Sequence, residues 1–171
     1  MLAFPSSYSV GITSLGYQVV WATMARRSDV DVRRLFTDRA DPPHGPIRNR
    51  DGTLDLFGLS LSWELDAPVL LDLLEPLSIP LWSAERGDAD PIVFGGGPVL
   101  TANPEPLAPF FDVVLLGDGE EMLAAFVDAY SATGAWPQPR CCRPALRTWA
   151  RALPAVHCAP WHGMRAEVGA A

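Results

Sequence analysis

Four short apolar runs punctuate the first two thirds of the chain, and each gives way to small or polar residues. Leu2-Ala-Phe-Pro5 is followed by Ser6–Gly11, and Leu54–Ser62 is nearly continuous in apolar residues. Ile92–Phe94 runs into Gly95-Gly96-Gly97-Pro98, and Val113–Leu116 runs into Gly117-Asp118-Gly119-Glu120-Glu121. Runs this short that are apolar on both faces predict parallel strands covered from both sides. Val30–Phe36 alternates instead, which predicts an edge strand.

Helical spacing fills the intervals. Thr13 or Ser14 is positioned to cap a helix with Leu15, Val19 and Ala22 as its apolar stripe, ending near Arg26-Arg27-Ser28. Asp66 is expected to cap a helix bearing Leu70, Leu73, Leu74 and Leu77, which Pro76 ends. Asp118 is expected to cap a third helix carrying Met122, Leu123, Phe126, Val127 and Tyr130, terminated by Gly134. Residues 37–52 lack periodicity and read as a loop. Four prolines between 98 and 109 predict a crossover that is mostly loop, with a short helical turn near Glu105–Ala108.

Five strands alternating with helices predict an α/β domain: a flavodoxin-like, Rossmann-like open parallel sheet of order 2-1-3-4-5, with helices on both faces. Ligands of such sheets bind beyond the carboxyl ends of the strands. That rule gathers Ser6–Gly11, Ser60–Glu64, Gly95–Pro98 and Gly117–Glu120 on one rim. Glycine there lets a ligand approach the backbone closely and permits positive φ. Neither glycine turn is a GxGxxG or Walker loop, and Asp118, Glu120 and Glu121 oppose phosphate at the last helix start.

Composition narrows the function. At 171 residues the chain supports one core, and its net charge of −7 disfavours general nucleic-acid binding. No apolar stretch reaches the roughly 18 residues that span a bilayer. The start Met1-Leu-Ala-Phe-Pro5 lacks the basic flank of a signal peptide, so a cytoplasmic protein without membrane partners is expected. All basic residues are arginine, a bias read as genomic base composition. Residues 1–139 hold 19 acids and 8 arginines (net −11), whereas 140–171 hold five arginines and Glu167 (net +4). The break predicts a domain over 1–134 and a Pro/Arg-rich segment over 135–171.

The ordered rim segments carry a resemblance. Phe4–Gln18, Phe57–Asp66, Gly95–Pro106 and Leu116–Glu121 resemble the N-terminal cobalamin-binding-like domain of a family of radical S-adenosylmethionine (SAM) proteins, over about residues 1–133. The resemblance implies a cobalamin-type cofactor in the crevice, held by Ser6, Tyr8, Gly11, Ser60, Ser62, Gly95, Gly96, Gly97, Gly117 and Gly119. It also implies a catalytic barrel as partner, with a four-iron cluster on Cys-x3-Cys-x2-Cys. This sequence contains no such loop: Cys141 and Cys142 are adjacent and Cys158 stands apart. No iron–sulfur cluster and no catalysis by this chain alone are therefore expected.

The window Ser6-Ser-Tyr8-Ser-Val-Gly11 also departs from the Asp-x-His-x-x-Gly of cobalamin proteins resembling methionine synthase. Tyrosine is a poor cobalt ligand while its phenol is protonated. Cobalamin without a protein ligand to cobalt, or a scaffold that has lost the cofactor, both fit the residues. Each candidate also has a plainer structural reading: strand-end turns for the glycines, strand-end hydrogen bonding for Ser60 and Ser62, an aromatic packing role for Tyr8. A stand-alone flavodoxin-like module, with Ser6-Ser7-Tyr8-Ser9 nearest to a phosphate loop, is the alternative. Asp38, Asp41 and His44 have metal-like spacing in a loop that offers no preorganised cage. The segment from Trp136 onward reads as poorly ordered or as out-of-frame coding, which would make the chain the remnant of a broken gene.

Overall fold

The computed structural model describes residues 1–41, 54–87 and 89–132 and the strand at 156–157. Five parallel strands form its centre: β1 (Leu2–Ala3), β2 (Arg34–Leu35), β4 (Leu56–Ser60), β5 (Ile92–Gly96) and β6 (Val113–Leu115). Their spatial order is β2-β1-β4-β5-β6, the expected 2-1-3-4-5 arrangement with β3 left out of the count. Two antiparallel strands extend it. β3 (Ala40–Asp41) folds back on β2, and β7 (Val156–His157) pairs with Leu115 and Val114 of β6. The first lies inside the segment 37–52 expected to be loop. The second belongs to 135–171, whose remaining residues, with Gly134, lie outside the described residues.

The second strand is shorter than the alternating segment 30–36 because its partner is short. β1 offers only Leu2 and Ala3, which register with Arg34 and Leu35. Val30 and Val32 instead pack against the core at its margin.

A short helix, α1 (Tyr8–Gly11), follows β1 in the segment expected as a turn, and longer helices cover both faces. α2 (Leu15–Ala25) and α5 (Gly119–Ala132) lie on one, where Tyr17, Met24, Phe94, Phe126 and Val127 form a core with Leu2 and Phe36. α3 (Val69–Leu74) and α4 (Pro98–Ala102) contribute to the other, built on Phe57, Leu59, Leu70, Leu74, Leu100 and Phe111. Arg27 fastens the first layer, pairing with Asp29 and with Asp128 of α5, each at 2.7 Å. Both carboxylates hold its guanidinium well above its ordinary pKa. No helix among the described residues is long and apolar enough to cross a membrane.

Three local expectations are corrected. The buried stripe of α2 is Tyr17 and Met24, with Val20 and Trp21 packed beside them, while Leu15 is 77% exposed. The helix is apolar at so many positions that two phases fit its pattern, and packing against β1 and α5 selects one. Asp66 does cap, but it accepts the N–H groups of Ser62 and Trp63 around the turn Glu64–Asp66, and α3 starts afterwards, behind Pro68. The helix of the fourth crossover begins at Pro98, ahead of the single 3-10 turn Ala108–Phe110. Pro98 stands at the first helical position, where a missing N–H costs nothing.

Candidate functional site

The carboxyl ends of the parallel strands are stitched together by backbone. Ser60 registers with Gly96, and Leu61 donates to the Gly96 carbonyl at 2.9 Å. The Leu61 carbonyl in turn accepts Val99 at 3.4 Å. Between these bonds sits Gly97 at φ 108°, where a Cβ would stand 2.5 Å from the Leu61 carbonyl oxygen. Only glycine fits this close approach. Across the rim, Thr101 Oγ1 accepts the N–H of Gly117, itself at φ 93°, at 3.1 Å. On the opposite side the buried Tyr17 hydroxyl donates to the Leu2 carbonyl at 2.9 Å, which seats the first turn of α2 over the end of β1.

These stitches enclose a crevice of about 680 Å³. Its mouth carries Ser14, Gly16, Ser60, Ser62, Thr101, Gly117 and Gly119, and its floor is apolar: Leu2, Val20, Leu59, Phe94, Leu115 and Leu123. The volume falls within the range of about 300–1,000 Å³ of small-molecule sites, and the crevice lies where open α/β sheets bind ligands. Among the described residues that line it, none is Asp, Glu, Arg or His. Asp118, Glu120 and Glu121 stand exposed at the start of α5, outside the lining, where they repel an approaching anion.

Six of the ten sequence candidates meet here: Ser60, Ser62, Gly96, Gly97, Gly117 and Gly119. Ser6, Tyr8, Gly11 and Gly95 do not line the crevice. Ser6 turns the chain, its N–H bonded to the Phe4 carbonyl and its own carbonyl accepting Thr37. Tyr8 packs edge-on against Phe36 at 5.1 Å, with the Arg39 guanidinium 3.4 Å above its ring and its amide bonded to Asp38. A Cβ on Gly11 would stand 2.5 Å from the Phe36 ring, and one on Gly95 2.6 Å from Leu100. Both glycines make room for core side chains.

Sequence reasoning missed Gly16, Tyr17 and Thr101, and took Ser14 for a helix cap alone. Ser14 does occupy the N-cap but makes no side-chain capping bond. A glycine in the first turn of an apolar helix was the available signal, since glycine weakens a helix unless space or backbone access is needed. A Cβ on Gly16 would meet nothing within 4 Å. Among the described residues no group of three or more His, Cys, Asp or Glu side chains could hold a metal ion. Of the spaced set Asp38, Asp41 and His44, Asp38 is bonded to the Tyr8 amide and His44 lies outside the described residues.

The family of radical SAM proteins, N-terminal, matches residues 16–143. The chain belongs to that family. The match takes in most of the crevice, from Gly16 in α2 to the start of α5. It makes this a radical SAM-associated module. No curated protein and no solved structure matches the chain.

Proposed function

We propose that this radical SAM N-terminal domain is a cofactor-binding module whose crevice receives cobalamin by its nucleotide tail, with no protein ligand to cobalt. The observation that carries the reading is the crevice itself: apolar at its floor, edged with hydroxyls, and open to backbone at Gly16 and Gly117, where a Cβ would meet nothing within 4 Å. The described residues fit the tail of the cofactor and supply no imidazole, since none of those lining the crevice is a histidine. When bound, cobalamin would supply a cobalt centre capable of radical chemistry. The chain's own part is to seat the tail, through Ser60, Ser62 and the Gly96–Gly97 turn, and to shield it from water. In this reading the module acts in the cytoplasm on a small molecule. Catalysis belongs to a radical SAM barrel outside this sequence, since the chain has no Cys-x3-Cys-x2-Cys.

Titration with hydroxocobalamin, followed by visible absorption and by electron paramagnetic resonance after reduction, tests the reading. The expected result is saturable binding and no nitrogen hyperfine pattern from a protein imidazole. An absence of binding at millimolar cofactor, or an imidazole signature, overturns it.

A further inference from the structure

We infer that the crevice is a nucleoside site that selects the uncharged form and rejects its 5′-phosphate. The inference rests on the crevice being a ligand site, as proposed above, and adds the chemistry of what enters it.

Charge supplies the selectivity. A phosphate dianion entering the crevice leaves water for a lining whose described residues include no Arg or His, and an unpaired buried charge is far more costly than a neutral polar group. The acids at the start of α5 add repulsion at the mouth. The neutral surface, by contrast, matches a nucleoside in kind. Phe94 and Leu115 give an apolar bed for a flat ring. Ser14 on the α2 side and Ser60, Ser62 and Thr101 on the other sides present hydroxyls that both donate and accept. Ring nitrogens and ribose hydroxyls need such partners, and a purely aliphatic ligand would leave them unused. Thr101 already accepts from Gly117 and still has its own O–H to donate. The nucleoside can arrive free or as the base and ribose of a cobalamin tail, and the two sources are separable by experiment.

The test is calorimetric titration of the full chain with adenosine, 5′-deoxyadenosine, AMP, the benzimidazole riboside of cobalamin, cobalamin, and cobinamide, which lacks the nucleotide. Saturable binding of at least one free nucleoside is expected, with AMP at least tenfold weaker than adenosine. Gly16→Leu, which fills the mouth from an exposed helix position, should weaken nucleoside binding at least tenfold without lowering the melting temperature. Ser14→Ala should weaken it severalfold, and serves if the leucine variant misfolds. AMP binding as tightly as adenosine, or no saturation by any nucleoside at millimolar concentration, overturns the inference. If cobalamin binds, cobinamide does not and no free nucleoside saturates the site, this inference fails while the cobalamin reading stands. If nucleosides bind and cobalamin does not, the inference stands and the cobalamin reading fails.

Discussion

Arg86 donates to Asp112 at 3.0 Å with both side chains buried, at 0% and 7% exposure. The guanidinium also donates to the carbonyls of Pro80, Leu81 and Phe110, and the same Asp112 oxygen accepts the Val93 N–H at 2.9 Å. One arginine thus ties the segments that lead into β5 and β6, at the end of the sheet away from the crevice. Removing one member of a buried pair leaves the other uncompensated, which costs about 3–5 kcal/mol. Arg86→Met should lower the unfolding free energy read from urea melts by that amount, and Asp112→Asn by less, since the amide oxygen still accepts from Val93.

Two glycines of the crevice should respond oppositely to alanine. Gly97→Ala combines a positive φ with a Cβ 2.5 Å from the Leu61 carbonyl. It should cost about 3 kcal/mol, from backbone strain and displacement together. Gly16→Ala places a methyl in open space within a helix and should raise stability by up to about 1 kcal/mol. Thermal melts of the two variants check the pair.

Tyr8, which the sequence resemblance sets opposite a cobalt-binding histidine, has its ring occupied by Phe36 and Arg39. Tyr8→Leu should lower stability by about 1–2 kcal/mol through the lost aromatic and cation–π contacts. Affinity for any crevice ligand should stay within about twofold, because the Tyr8 side chain is held by core packing. Denaturant melts and a ligand titration measure the two effects separately.

Deleting residues 135–171 should leave a folded domain, at a cost of about 1 kcal/mol or less. It also removes β7, so the backbone amide of Leu115, which faces that strand, should lose protection in hydrogen exchange, while that of Val114 on the β5 side and those of β4 and β5 keep theirs. Unfolding of the shortened chain would show that the segment is integral to the domain.

Incubated anaerobically with iron, sulfide, a reductant and S-adenosylmethionine, the chain should release no 5′-deoxyadenosine. Its three cysteines, Cys141, Cys142 and Cys158, lack the spacing that would hold a cluster with one iron open. Chromatography of the quenched mixture detects the product at stoichiometric levels.

Strand identity and order were legible because parallel strands advertise themselves as continuous apolar runs ending in small residues, as Ile92–Gly96 does. The phase of α2 was not. Leu15, Tyr17, Val19, Val20, Trp21 and Met24 put apolar groups around much of the helix, so only tertiary packing distinguishes the buried side from the exposed one. The glycines were legible as a set and ambiguous singly. Gly95 and Gly97 differ by two residues, yet one yields to the Leu100 side chain and the other to the Leu61 backbone. Arg86 gave no signal at all, since it sits in a polar loop between Ser83 and Asp90 and its partners are mostly carbonyls. The strand at 156–157 lies far from any apolar run of ordinary strand length, and β6 supplies the edge on which it forms.

The two cores behind the sheet have unequal duties. Most of the crevice floor, with Leu2, Tyr17, Phe94, Leu115 and Leu123, is drawn from the α2–α5 side, while the α3 side contributes little beyond Ala3 and Leu59. Sequence drift is therefore partitioned. Changes among Leu70, Leu73, Leu74 and Leu77 can trade one aliphatic for another and spend only stability, whereas comparable exchanges on the other face redraw the outline a ligand meets. Repeated rounds of mutation and selection for binding should leave the α3 layer varied and the α2–α5 layer nearly fixed.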